Sequence, residues 1–297
     1  MNRRRLRLIA AIVIVVVAIL VVRNQVKVYR GRQLGAAQER LALEDRKRLA
    51  AEQARRRALF DMLKPVALAN CKLERFGEAN DGGYVMCGNL LGGVRSGYSY
   101  GISGYDKWGC DISTRFNLTV HQYDCFNTTQ PDCPKGKTVF HAECVGDKPA
   151  TLEGRPFDTL TNQFARNGDH SRRVVLKMDV EGAEWDSFLS EADDVFSRID
   201  QMAVEFHWLQ DEKSQWVQVE KYLRVVRRLK QFFEVGHIHF NNASCVAGLE
   251  PFTTWAFEVL FVSKRLAVVD PSRKVDGPHP PDAPNNPAFA DCQPKAP

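Results

Sequence analysis

Eight cysteines occur in this 297-residue chain, yet no two stand as Cys-x-x-Cys, which counts against a structural zinc site. A Gly-x-Gly-x-x-Gly turn is also missing, which argues against a dinucleotide-dependent dehydrogenase. Charge of one sign is barely in excess. The 41 Lys and Arg against 36 Asp and Glu leave a formal +5, too mild to imply nucleic acid, and much of that excess lies in the first sixty residues. What the chain does have is 44% hydrophobic residues, enough for one sizeable core.

Residues 1–7 form a basic tail, and residues 8–22 form an uninterrupted apolar run with arginines and lysines on both flanks. The run is short against the ~20 residues a span usually needs, although snorkelling Arg side chains extend it. No small-x-small cleavage site follows, so an uncleaved single-pass signal-anchor is favoured over a signal peptide. The two flanks nearly balance in charge and do not fix the orientation. The cysteines and three glycosylation-type triplets, at Asn117, Asn127 and Asn242, lean towards a secretory lumen with disulfides; eight reduced, buried thiols are the other reading. Cys125 and Cys133 are close enough in sequence to close a short loop, but eight cysteines allow about 105 full pairings.

Residues 23–64 read as a charged helical stalk. Leu34 and Leu41 are one heptad apart, compatible with a homodimer through the stalk, but the positions after them do not sustain the repeat. Residues 65–270 form the globular domain, and residues 271–297, with eight of the fourteen prolines, form an irregular tail draped over it.

Within the domain, strands and helices alternate, the signature of a parallel sheet with crossover helices. Strands are expected at 98–101, 118–124, 138–142, 173–179, 199–206, 232–240 and 255–262. Ile112 and Phe116 suggest a short helix, Phe157, Leu160 and Phe164 mark one face of another, and Val219, Leu223 and Val226 a third. The most informative stretch is VVLKMDVEGAEWDSF at 174–188, where a buried strand ends in Asp179, Glu181 and Glu184 before a helix. In open α/β sheets that edge is where ligands bind. Asp124, closing the second strand, is placed to accept hydrogen bonds from ribose hydroxyls, and Gly101, Ser103 and Gly104 form the turn that lets backbone approach the same cofactor.

Five segments, DGGYVMC (81–87), YDKWGCDIS (105–113), YDCFNTTQP (123–131), KMDVEGAEWD (177–186) and VEFHW (204–208), resemble the methyltransferase-like 24 type of domain, and the Asp-Val-Glu-Gly-Ala-Glu element is similar to that of the FkbM methyltransferases. The resemblance implies a Rossmann-like class I methyltransferase: a seven-stranded, mostly parallel α/β sheet with helices on both faces, its last strand antiparallel, binding S-adenosylmethionine. It implies, more weakly, O-methylation of a small-molecule or glycan acceptor such as a sugar. Enzymes of that class commonly carry an acid two residues before the first glycine of the turn. Ser99 stands there in this chain, which leaves Asp81 and Asp106 as candidates for the missing carboxylate.

A hydroxyl acceptor must lose its proton as the methyl arrives, and a positioned base contributes about 10²–10⁴-fold to such a step. Asp179 is the first candidate and His207 the second, with Glu181 and Glu184 orienting acceptor hydroxyls or capping the helix. Asp179, Glu205, His207 and His239 also permit a divalent metal, against the plainer reading of polar residues at a sheet edge. His237 and His239 share one strand face. Tyr84, Tyr105, Trp108 and Trp208 are candidates for stacking on a ring, each also explicable as packing. A catalytically inactive, membrane-tethered binding module on the same fold is the alternative function.

Overall fold

The computed structural model describes residues 3–171, 173–207, 215–275, 277 and 279–292. Trp208 lies outside them. The elements in chain order are α1 (Arg3–Leu63), β1 (Leu73–Gly77), β2 (Gly83–Cys87), β3 (Ser96–Tyr100), α2 (Lys107–Phe116), β4 (Thr119–Tyr123), β5 (Lys137–His141), β6 (Cys144–Val145), β7 (Ala150–Leu152) and β8 (Arg155–Asp158), followed by α3 (Leu160–Arg166), β9 (Val174–Met178), α4 (Glu184–Ser190), α5 (Asp193–Arg198), β10 (Ile199–Phe206), α6 (Gln215–Phe232), β11 (Phe233–Phe240) and β12 (Phe257–Ser263).

The chain divides into two compact units, residues 1–52 and 53–297. The first is helical and contains a segment long and apolar enough to cross a membrane. In the second, the end of α1 is not solvated stalk as expected: Leu59 and Leu63 are fully buried in the domain core, because the last turns place apolar side chains on one face.

Seven strands form one sheet in the order β11-β12-β10-β9-β3-β4-β5. All neighbours pair in parallel except β12, which is antiparallel to both β10 and β11. Strand alternation feeds two cores. Val174, Leu176 and Met178 of β9, with Met202, Val204 and Phe206 of β10, pack against α3 to α6 and the end of α1. Val175, Ala203, Leu260 and Val262 point the other way, onto α2 and the β1–β2 hairpin. That hairpin and the small sheet β6-β8-β7 were not expected. Phe157 belongs to β8, not to the helix it suggested; α3 begins after Thr159, whose side chain caps it by accepting from Asn162 N.

All eight cysteines are paired: Cys71–Cys87, Cys110–Cys133, Cys125–Cys144 and Cys245–Cys292. The Cys125–Cys133 loop and the reduced-thiol reading are both corrected. Cys292 ties the proline-rich segment to the domain, and that segment inserts rather than drapes: Asn285 is buried, donating to Asp81 at 3.1 Å and Glu258 at 2.8 Å. Of the three glycosylation-type triplets, Asn117 is exposed, the Asn127 amide donates to Ser103 O at 2.8 Å, and Asn242 is buried with its amide bonded to Asn286 O and Phe289 O.

β4 and β5 carry a histidine pair. His121 Nδ1 lies 3.2 Å from His141 Nε2, one ring donating and the other accepting. Burial, then the charge of the other ring, pushes His121 down to about 4; burial and Arg166 lower His141. Folding therefore favours the neutral rings. Their contribution is complete above the unfolded value of ~6.5 and is lost as pH falls from there towards 4. Allowing for partial screening, His121 alone is expected to account for about 2 kcal/mol lost between pH 7 and pH 4. Urea unfolding at the two pH values should show His121→Phe flattening that dependence; an unchanged slope would rule the pair out as its source.

Candidate active site

The turn after β3 and the turn after β9 meet where the chain order of the sheet reverses, the place at which open α/β sheets bind ligands. Gly101 makes this possible, for a reason other than the expected one. Its φ is +70°, and a Cβ there would lie 1.6 Å from Asp179 O, so it is the neighbouring strand, not a ligand, that requires glycine. Lys177 reinforces the junction from β9, donating to Gly101 O at 2.8 Å and Tyr100 O at 3.2 Å.

A cavity of about 600 Å³ opens at this junction, lined by Asp81, Gly101, Ser103, Tyr123, Asp124, Phe126, Val145, Phe157, Asp179, Val180 and Glu181 among others. Its lining is mixed, with apolar and aromatic side chains (Tyr123, Phe126, Val145, Phe157, Val180) beside carboxylates (Asp81, Asp124, Asp179, Glu181). Of the six residues expected to bind a cofactor, Asp81, Gly101, Ser103 and Asp124 line it, and two do not. Asp106 is buried as the N-cap of α2, accepting from Gly109 N at 2.8 Å and from Gln122 at 2.9 Å. Gly104 takes a left-handed turn backed by the Asn127 amide.

Asp124 sits where the sequence placed it, but its carboxylate is already in use. One oxygen accepts from Ile102 N at 3.1 Å and Ser103 N at 2.7 Å, the other from Phe126 N at 2.8 Å and Asn127 N at 3.0 Å. Four backbone donors fill the acceptor positions of a carboxylate. Its visible work is therefore to tie the two cavity loops together.

Among these carboxylates, Asp179 receives the Tyr84 hydroxyl at 3.0 Å and lies 3.4 Å from Lys177 Nζ. Tyr84, from the β1–β2 hairpin, also reaches Glu205 at 3.4 Å, and Asn241 donates to the other Glu205 oxygen at 2.7 Å. His207, just past β10, is fixed at two points and faces a third group. Its Nδ1 is 2.6 Å from Glu184 Oε1, its carbonyl accepts from Trp185 Nε1 at 2.9 Å, and its Nε2 faces Asp179 at 3.7 Å. Glu184 is thus a buried partner of His207 instead of a surface cap. Glu181 lies at φ +54°, its side chain 72% exposed.

Burial pushes the His207 imidazole down, but the Glu184 hydrogen bond and the charges of Glu184, Glu205 and Asp179 outweigh it and hold it up at about 9. Glu205 is raised well above the usual carboxylate range by burial, then by Asp179 and Glu258. Burial and the adjoining Asp179 charge likewise keep Tyr84 a neutral donor. Asp179, Glu205 and His207 converge, each offering an atom within 4.8 Å of the others. His239 does not join them; it bonds Asn285 at 3.2 Å and, with His237, faces Asp282. Trp108 is buried against Met86 as packing, Tyr105 is half exposed, and Tyr84 serves through its hydroxyl. Lys177 and Asn241 were missed.

None of the curated proteins matches the chain. The sequence model of the methyltransferase FkbM domain matches residues 54–234, a span that includes both turns and the Asp179–Glu184–His207 cluster. With more than half of its length matched, the chain belongs to the methyltransferase FkbM domain family.

Proposed function

We propose that this protein is an S-adenosylmethionine-dependent O-methyltransferase acting on a hydroxyl-bearing acceptor such as a sugar, held at a membrane by its apolar N-terminal helix with the domain in an oxidising lumen. The observation that carries the reading is the cavity between the β3 and β9 turns, lined by both apolar and acidic side chains. Its size and chemistry fit the cofactor: Val145, Phe157 and Phe126 offer apolar surface for a base, and Asp179 and Glu181 offer negative charge for a sulfonium. Bound there, S-adenosylmethionine would supply a methyl group on a positively charged sulfur.

The chain's own residues then have distinct tasks. Asp124 and Gly101 hold the cavity's two walls in register, and most of the rate gain comes from such alignment, worth ~7–11 kcal/mol. Asp179 accepts the acceptor's hydroxyl proton. His207, its imidazole held up at about 9, is protonated near neutral pH, so it is not the base; it faces Asp179 at 3.7 Å. The four disulfides and the exposed Asn117 triplet support the lumenal placement.

Calorimetric titration of S-adenosylmethionine into the full chain tests the reading. Saturable one-to-one binding is expected, and it should be lost in a folded Val145→Trp variant that fills the cavity. Failure of the folded wild-type chain to bind would leave the family's activity behind and favour a tethered binding module.

A further inference from the structure

The carboxylates at the cavity contain an imbalance that the methyl-transfer reading leaves unexplained. His207 is 4% exposed, and its Nε2 points into a ring of carboxylates without bonding to one: Asp179 Oδ1 lies at 3.7 Å, Glu205 Oε1 at 3.8 Å and Glu181 Oε2 at 3.9 Å. Among the described residues, the ring's hydrogen bond is made by Nδ1 and not by Nε2. Three oxygens spaced evenly just beyond hydrogen-bond reach describe a gap, and its size is informative. Donors that each stand ~2.0–2.2 Å from one shared cation are about 3–3.6 Å apart, so a few tenths of an ångström of closure would turn this gap into a ligand shell.

The surroundings are built as a ligand shell is built. Glu184 holds His207 through Nδ1 at 2.6 Å, so that Nε2 is the nitrogen a cation would take in exchange for its proton, the carboxylate–histidine arrangement that orients metal-bound imidazoles. Asn241 donates to Glu205 at 2.7 Å and Tyr84 to Asp179 at 3.0 Å, so both carboxylates are oriented from behind while retaining acceptor capacity. Glu181 comes from a left-handed turn at the exposed rim.

We infer that Asp179, Glu205 and His207 form a divalent-cation site at the acceptor end of the cavity, with Glu181 at its open side. One nitrogen and two or three carboxylates suit Mn²⁺ or Zn²⁺, and remaining coordination positions face the cavity through Asp179. Resting on the hydroxyl-acceptor reading, the site narrows the acceptor to molecules with two adjacent oxygens, such as a vicinal diol of a sugar, which chelate a cation and lose a proton more readily on it.

The test is titration of Mn²⁺ alone into the metal-stripped full chain, following the loss of the free-ion paramagnetic signal. One site per chain is expected. A folded Glu205→Gln or His207→Gln chain should bind at least ten-fold more weakly, and Glu184→Gln, which touches no cation, about 10–100-fold more weakly. Either ligand variant, if folded by circular dichroism, suffices if the other misfolds. No wild-type binding, or binding unchanged in a folded ligand variant, overturns the site. S-adenosylmethionine binding measured without metal separates the two readings: cofactor binding without Mn²⁺ binding removes only the cation site, and the reverse removes the methyltransferase reading.

Discussion

Asp179→Asn is expected to lower kcat by about 10²–10⁴-fold while leaving the fold intact, the range for losing a positioned base. The substitution keeps an oxygen for the Tyr84 hydroxyl, now 3.0 Å away, and removes a charge from beside Glu205, so the thermal midpoint should hold or rise. The effect is expected chiefly in kcat; a rise in KM beside it would mark loss of the acceptor alignment that the inferred cation site gives Asp179. Asn retains the size of Asp and the cavity its walls. A single-turnover assay separates the terms, and a rate within ten-fold of wild type would remove Asp179 from the chemistry.

Gly101→Ala should be the most damaging single methyl group in the domain. The added Cβ would meet Asp179 O at 1.6 Å and its carbonyl carbon at 2.7 Å, both backbone atoms that cannot rotate away, and the residue would keep a left-handed φ of +70°. The turns after β3 and β9 must then separate, which opens the cavity where Lys177 ties them together. The conformational penalty is ~1 kcal/mol and the collision adds about 1–3 kcal/mol or more. Gly154 is the internal control: its φ is +79° with nothing within 4 Å of an added Cβ, so Gly154→Ala should lose only the first amount. Chemical denaturation of both variants checks this, and equal losses would show that the contact with Asp179 is not what requires glycine.

Where the sequence speaks clearly, one physical cause dominates. β9 was read as 173–179 and is Val174–Met178, because a strand buried on both faces leaves an apolar run, here broken only by Lys177. The acids at 179 to 184 were found because they interrupt such a run. Phe157, Leu160 and Phe164 were misassigned because spacings of three and four satisfy a helix even when the first residue belongs to a strand. The Asp106 role was readable: an Asp immediately before a helix is a cap signal, and it outweighs a cofactor role for a buried side chain. Other features have no local signal. Cysteine pairing, the approach of Tyr84 from the hairpin and the insertion of Asn285 depend on long-range topology, with 95 residues between Tyr84 and Asp179 and 204 between Asn285 and Asp81. Asp124 shows the limit from the other side. Its position was legible, but the four backbone donors that occupy it come from two loops whose meeting only the fold creates.

The most direct test of the account is transfer of tritiated methyl from S-adenosylmethionine to a panel of diol-bearing sugars by the full chain, with Asp179→Asn alongside. The account predicts a base-stable, ether-linked methyl product that the variant forms at least a hundred-fold more slowly. Base-labile methyl ester, or equal product from the variant, would contradict hydroxyl methylation at Asp179.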